Sequence, residues 1–407
     1  MQQTNKKNLI ILFVTLVVMM LGFGIIIPIL PFYVESMGAS GRDLGLLMAI
    51  FALMQLIFAP IWGSLSDKIG RKPVLLVGIF GNGLALLLMG LATQMWMLFA
   101  ARALAGILSS ATLPTAMAYI GDSTSDKHRS GAMGTIGAAM GVGMVLGPGI
   151  GGWLAEMALS YPFYLAAALS GIVLFFVWFM LPESLAVEHR TAADGKVKGV
   201  DFGAMWRALF GPLGFLMFMS FLVSFGMTSF EGIFGLYALE RYGYGPSQVG
   251  MILMVVGITS AIVQGGFTGR LTKRWGETRV MQGALLVSAV GFAVMLLAKT
   301  LPMVMLTTSF FVLGNALLRP VLASMISQRS TRTEQGIALG LHNSFMSLGR
   351  IVGPTWSGFV FDVNILFPYM SGAVVMSIGT LLTMVWAARG GGKKPAEQET
   401  ATIVAAE

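Results

Sequence analysis

The chain has 407 residues, of which 56% are hydrophobic and only 11% are charged. Soluble domains carry about 25% charged residues, so this composition excludes a soluble globular protein and indicates an integral membrane protein. The absence of cysteine excludes disulfides and thiolate metal sites. A net charge of +8 raises the question of nucleic-acid binding, which the placement of the basic residues decides.

Apolar runs of about 20 residues recur between short polar breaks along the chain. The first run is too long for a signal peptide and has no small-residue cleavage site, so we expect it to be retained. The pattern predicts an all-α membrane protein with twelve transmembrane helices in two pseudo-symmetric six-helix bundles. The predicted spans are 8–33, 43–66, 74–93, 95–120, 131–157, 160–182, 208–238, 246–270, 279–299, 302–326, 336–361 and 364–388.

The basic residues are distributed unequally between the two sides of the membrane. Of the 26 Lys and Arg residues, only Arg42, Arg241 and Lys299 fall on the side opposite the N-terminus. Three more lie within spans, and all the others share the side of the N-terminus. Short cytoplasmic loops carry the positive excess, so we expect both termini in the cytoplasm and no nucleic-acid partner.

A polar segment separates six spans from six, and residue types in the two halves match when 206 is added to the residue number. The matching pairs are Gly63 and Gly269, Leu65 and Leu271, Gly70 and Gly276, Pro114 and Pro320, Gly143 and Gly349, Gly147 and Gly353, Pro148 and Pro354, and Gly152 and Gly358. Such repeats are typical of transporters whose bundles rock around a central cavity. The predicted divisions are an N-terminal bundle at 1–182, a cytoplasmic linker at 183–207, a C-terminal bundle at 208–388 and a disordered tail at 389–407.

Several of these segments resemble the major facilitator superfamily. The stretch Gly63-Ser64-Leu65-Ser66-Asp67-Lys68-Ile69-Gly70-Arg71-Lys72 is similar to its signature loop, and Arg102 with Gly106 resembles its fourth-span motif. The glycine-rich stretch Gly143–Gly152 resembles the motif of its antiporter branch. Phe230-Glu231 and Leu318-Arg319-Pro320 are similar to the Nor-type quinolone and multidrug exporters.

The resemblance implies a proton-coupled antiporter that exports small amphipathic, drug-like compounds by alternating access from a bacterial inner membrane. It implies no enzymatic activity, no cofactor other than the proton as coupling ion, and a monomer whose other partner is membrane lipid. It also implies a conformational latch at Gly63, Asp67, Gly70 and Arg71, and an antiporter motif at Gly143, Gly147, Pro148, Gly151 and Gly152. The alternative for the latch residues is a turn that only connects two helices.

Glu231 is the one acidic residue of the 18 that sits well inside an apolar run. A carboxylate at that depth costs several kcal/mol unless it is paired or protonated, and a proton carrier needs this property. We therefore expect Glu231 to couple proton transfer to transport and to contact substrate. The alternatives are a fixed partner of an interior arginine and a binder of cationic compounds without proton transfer.

Three arginines and one histidine are also expected inside spans. Arg102 lies where the family places an arginine implicated in proton handling, and Arg319 precedes a proline, but either residue could instead fix helix packing. Arg350 has no counterpart in the family motifs and could pair with Glu231 or bind an anionic or zwitterionic substrate group. His342 is a further candidate substrate contact, with a packed polar residue as the alternative.

The remaining candidate substrate contacts are apolar or amide side chains near Glu231. Four recur at helical spacing on its span, and two lie on the tenth span, although such stripes are more often lipid-facing or core. These candidates are Met227, Phe230, Phe234, Tyr237, Phe311 and Asn315. Asn315 stands where the Nor-type exporters carry a second acid, so coupling would depend on one carboxylate.

Two other functions stay open from the sequence. One is an exporter of a single metabolite, such as a sugar, siderophore or amino-acid derivative. The other is a receptor or scaffold without transport, which the retained interior charges disfavour. No phosphate-binding loop, metal cluster or catalytic triad is recognisable in the polar segments.

Overall fold

A computed structural model describes residues 6–124, 126–186, 188, 190, 199–331 and 334–391, and no β-strand occurs in these ranges. Spanning segments become helical because a bilayer offers backbone groups no other partner. The helices are α1 (Lys6–Ser36), α2 (Gly41–Ile69), α3 (Arg71–Gly90), α4 (Met95–Ser109), α5 (Thr112–Ser123), α6 (Asp126–Ala155), α7 (Tyr161–Met180), α8 (Phe202–Leu209), α9 (Gly214–Tyr242), α10 (Pro246–Ile262), α11 (Thr268–Trp275), α12 (Glu277–Met295), α13 (Leu301–Gln328), α14 (Gln335–Val363) and α15 (Phe367–Trp386).

Each of the twelve predicted spans is helical over most of its length, and the seventh begins at Gly214 and not at residue 208. Within the described ranges, eleven helices are long and apolar enough to cross a membrane. The remaining predicted span is α14, whose 29 residues reach about 44 Å at 1.5 Å per residue. It is more polar because it carries His342, Arg350 and Asp362.

The structure also contains features that the apolar pattern did not predict. The fourth span breaks into α4 and α5 at Ser110 and Ala111, because Pro114 has no N–H for the carbonyl of Ser110. The eighth span contains a π-helical segment, Val263–Phe267, between α10 and α11. The short helix α8 begins after Asp201, whose side chain accepts a hydrogen bond from the Ala204 N–H at 2.8 Å.

Two predicted segments lie partly outside the described residues. In the linker predicted at 183–207 these are residues 187, 189 and 191–198, and in the tail predicted at 389–407 they are residues 392–407. The chain divides into two compact units, Met1–Val200 with Gly232–Gly257, and Asp201–Glu231 with Ile258–Glu407. The division passes through α9 and α10, so one part of each of these helices belongs to the first unit. The predicted bundle boundaries stay predictions.

Glycines allow two helix pairs to approach closely, one pair in each unit. In the first unit, a Cβ on Gly143 of α6 would lie 2.7 Å from the carbonyl oxygen of Val17 in α1. In the second unit, a Cβ on Gly349 of α14 would lie 2.6 Å from the carbonyl oxygen of Phe221 in α9. Gly143 and Gly349 are related by the sequence repeat, so the repeat extends to the packing.

Candidate functional site

Hydroxyl groups fix the register of α9 against α14 in the second unit. Serine and threonine side chains on successive turns of α9 bond to groups of α14, which anchors the two helices at several depths. The bonds are Ser220 Oγ with His342 Nδ1 at 2.7 Å, Ser224 Oγ to the Met346 carbonyl at 2.6 Å, Thr228 Oγ1 to the Gly349 carbonyl at 3.1 Å, and Ser229 Oγ to the Gly353 carbonyl at 3.1 Å. This register places Glu231 of α9 beside the part of α14 that carries Arg350.

Glu231 is partly accessible. Arg350, which is also partly accessible, lies close enough to interact electrostatically with its carboxylate. Among the residues that the structure describes, none donates a hydrogen bond to that carboxylate. The oxygens of Glu231 are therefore available to a proton or to a cationic group.

Arg319 of α13 is an electrostatic neighbour of both Arg350 and His342. Its side chain is exposed, whereas His342 is only 3% exposed and is held by Ser220. The structure thus brings Glu231, Arg319 and Arg350 together, and we refer to these three residues as the charged cluster. His342 lies at its edge as a packed polar side chain.

Asn315 lies one helical turn before Arg319 on α13, so the two side chains share a face. It is 7% exposed, and its Nδ2 atom has no hydrogen-bond partner among the described residues. Buried amides in folded proteins normally have partners. An unsatisfied donor beside the charged cluster is therefore suited to a ligand acceptor.

The aromatic candidates are packed away from open space. Phe230 and Phe311 have no accessible surface, and their ring centroids are 5.3 Å apart within the second unit. Phe234 and Tyr237 are likewise buried. Of the apolar candidates only Met227 is partly accessible. Substrate contact by the aromatic side chains stays a prediction, and in this structure they serve as core.

Arg102 is buried in the first unit, with 2% of its surface exposed. Its Nε lies 3.4 Å from the Leu47 carbonyl, and its guanidinium lies 4.7 Å from the centroid of the Phe51 ring. The Nη1 atom has no hydrogen-bond partner among the described residues. These contacts match the packing alternative, while a part in proton handling stays a prediction.

The predicted signature loop is shorter than expected. The expectation that Gly63 contributes to a turn is wrong, because α2 continues through it to Ile69. Only Gly70 makes the turn, with φ at +107°, a value that favours glycine. Arg71 follows at the start of α3 and is 7% exposed.

Arg71 joins the loop to distant acids that the sequence did not reveal. Its Nη1 pairs with Asp67 of α2, and its Nε lies 2.9 Å from Oδ2 of Asp122 at the end of α5. Glu183 accepts hydrogen bonds from the backbone N–H groups of Arg71 at 2.9 Å and Lys72 at 3.1 Å. A carboxylate at a helix N-terminus complements its dipole, so Glu183 ties the end of the sixth span to α3.

The second copy of this loop carries a different network. Glu277 stands where the first copy has Arg71, and Gln328 stands where it has Asp122. Ser324 donates a hydrogen bond to Glu277 Oε1 at 2.7 Å, and Gln328 donates to the same atom. The positions that interact are thus repeated, but only the first copy is an ion pair.

Replacing Gly70 by alanine is expected to destabilise the protein. A Cβ there requires a backbone conformation that costs about 1–3 kcal/mol, and it would collide with the Glu183 carboxylate. The control is Gly63→Ala, because no atom lies within 4 Å of a Cβ at Gly63. Thermal unfolding of the purified protein should show a lower melting temperature for Gly70→Ala alone, and equal melting temperatures would contradict this assignment.

The antiporter motif in α6 presents two glycine faces within the first unit. Gly143, Gly147 and Gly151 pack against α1, where a Cβ on Gly147 would lie 2.8 Å from the Leu21 carbonyl oxygen. Gly152 faces α10, where its Cβ would lie 3.1 Å from the Cα of Gly250. Pro148 lies between these faces. The motif therefore works as a packing surface for two helices.

The described residues contain no group of three or more His, Cys, Asp or Glu side chains that could hold a metal ion. Within the second unit, the site consists of the charged cluster and the Asn315 amide, and the buried Phe230 and Phe311 rings belong to the core of the same unit. The charged cluster therefore offers one carboxylate, a group that titrates, and two guanidinium groups of the opposite charge.

The chain is similar in sequence to a large protein family and to individual known proteins. The sequence profile described as Major Facilitator Superfamily matches residues 12–276 and 216–406. Multidrug resistance protein 2 of Bacillus subtilis is 34% identical over 94% of this chain and 96% of its own length. Quinolone resistance protein NorA of Staphylococcus aureus is 28% identical over 93% of this chain and 96% of its own.

Solved structures agree in fold. The nucleoside transporter NupG superposes with a TM-score of 0.77 at 15% identity, covering 93% of this chain and 98% of NupG. The predicted resemblance and fold class are thereby confirmed. The chain belongs to the major facilitator superfamily of multi-pass membrane transporters.

Proposed function

We propose that this protein is a proton-coupled antiporter that exports small amphipathic compounds, including quinolone-like ones, by alternating access. The names of its relatives, which are multidrug and quinolone resistance proteins, support this class of substrate. The observation that carries proton coupling is Glu231, a carboxylate inside a span that receives no hydrogen bond from the described residues and has Arg350 as its electrostatic neighbour.

Coupling follows from competition at Glu231. A cationic group on the substrate binds the ionised carboxylate, so it displaces any proton held there. When the site faces the side of high proton concentration, protonation of Glu231 removes that attraction and releases the substrate. Substrate affinity should therefore fall as the pH falls. The charged neighbour of Glu231 is Arg350, and Arg319 and His342 are the next charged or titratable groups.

The remaining features complete the proposal. Both termini lie in the cytoplasm, the protein acts as a monomer in membrane lipid, and the proton is the coupling ion with no other cofactor. Transport involves no enzymatic chemistry. Arg71, Asp67 and Gly70 act as the latch that holds one of the two states.

The test uses energised inverted membrane vesicles with a fluorescent pH indicator and a panel of amphipathic dyes and quinolones. Addition of an exported compound should dissipate part of the pH gradient, and vesicles without the protein should show no change. Dissipation by a sugar, siderophore or amino-acid derivative alone would favour the metabolite exporter. No dissipation by any compound would overturn proton-coupled export.

A further inference from the structure

The charged cluster has an uneven balance of donors and acceptors. Glu231 is its one carboxylate, whereas Arg319 and Arg350 both carry positive charge. Asn315 adds a buried amide nitrogen that no described residue accepts from. Helices α13 and α14 therefore supply the hydrogen-bond donors of the cluster, and α9 supplies the carboxylate acceptor.

The two signs of charge lie on different helices. Glu231 belongs to α9, and Arg350 belongs to α14, whose register is fixed by the Thr228 hydroxyl on the Gly349 carbonyl at 3.1 Å. Arg350 is also 3.5 Å from the Ser347 hydroxyl of its own helix. A ligand that reaches both helices thus meets a negative group and a positive group at fixed positions.

We propose, resting on the function proposed above, that the charged cluster is a dipolar subsite for zwitterionic substrates. The ammonium group of the substrate binds Glu231, and its carboxylate binds Arg350, with Arg319 and the Asn315 amide as additional donors. Arginine suits this role because its fork of N–H donors matches a carboxylate.

Exchange of substrate against a proton, as in an antiporter, favours a zwitterionic substrate over an anionic one. A substrate anion would compete with ionised Glu231 for the guanidinium of Arg350. Binding of the anion would favour protonated Glu231, so a proton would move in the same direction as the substrate. An ammonium group needs ionised Glu231 and so exchanges against the proton. A zwitterion meets both requirements, and it replaces the interaction between Glu231 and Arg350 without leaving either charge without a partner.

The test measures binding to the purified full-length protein in lipid nanodiscs. The probes are norfloxacin, which carries an ammonium group and a carboxylate, norfloxacin methyl ester, which lacks the carboxylate, and the permanent cation tetraphenylphosphonium. Arg350→Gln should weaken norfloxacin binding by about tenfold to a hundredfold, as expected for a lost charge-assisted hydrogen bond. Binding of the ester and of tetraphenylphosphonium should not weaken, because neither has a carboxylate to lose a partner and the variant removes a positive charge next to Glu231. Arg350→Lys should restore part of the norfloxacin affinity.

The matched control is Arg241→Gln, because Arg241 is an exposed arginine near the end of α9. It should leave binding of all three probes unchanged. Equal losses for the three probes in Arg350→Gln would show a structural role and overturn the subsite, as would equal affinity for norfloxacin in the variant and the wild type. Failure of proton-coupled transport with the probe selectivity retained would instead overturn the proposed function alone.

Discussion

Replacing Glu231 by glutamine is expected to abolish export driven by a pH gradient. Glutamine keeps the shape of the side chain but cannot exchange a proton, so the gradient no longer drives substrate release. Its amide also attracts a cation far less than a carboxylate does. The expected result is background-level uptake of a cationic dye into energised inverted vesicles, at wild-type amounts of protein in the membrane.

The pH dependence of binding separates this role from a structural one. Dye affinity of the wild type should fall as the pH falls, because protons compete for the ionised carboxylate. In Glu231→Gln the affinity should be low and independent of pH. Glu240→Gln is the matched control, since Glu240 lies on the same helix at its exposed end. Driven uptake by Glu231→Gln at the wild-type rate would remove Glu231 from the coupling mechanism.

Replacing Gly143 by leucine is expected to disrupt the first unit. A Cβ at this position would lie 2.6 Å from Met20 Cβ, 2.7 Å from the Val17 carbonyl oxygen and 2.8 Å from the Leu21 nitrogen. Because two of these atoms are backbone, α1 and α6 would have to separate. Overpacking of this kind costs about 1–3 kcal/mol and occasionally more, so we expect a lower melting temperature and little transport.

The matched control for this variant lies two residues away on the same helix. A Cβ on Gly141 meets no atom within 4 Å, so Gly141→Leu should keep the wild-type melting temperature. Size-exclusion chromatography and thermal unfolding of the detergent-purified variants provide the measurement. Equal stability of Gly141→Leu and Gly143→Leu would show that the close approach of α1 and α6 does not depend on glycine.

The features that the sequence predicts well are those with a physical signature along the chain. Apolar length locates the spans, and the constant shift of 206 between Gly143 and Gly349 anticipates their equivalent packing in the two units. Glu231 is recognisable because an acid inside an apolar run is costly. An interaction between Glu231 and Arg350 is one of the alternatives that the sequence leaves open.

Other features depend on distant parts of the chain or on which face of a helix is buried. Lipid and protein core are equally apolar, so the spacing of Phe230 and Phe234 does not show that both are buried. Asp122 and Glu183 meet Arg71 only through the fold. Gly63 resembles a turn residue because nothing local shows that α2 continues to Ile69.

The most direct measurement of the central claim is proton release when substrate binds. A lightly buffered solution of the purified protein, with a pH-sensitive dye, receives a saturating amount of tetraphenylphosphonium at several pH values. We expect proton release by the wild type that grows as the starting pH falls toward the range where Glu231 is protonated, and no release by Glu231→Gln. The same release by both proteins, or none by the wild type at any pH, would contradict exchange of proton and substrate at this carboxylate.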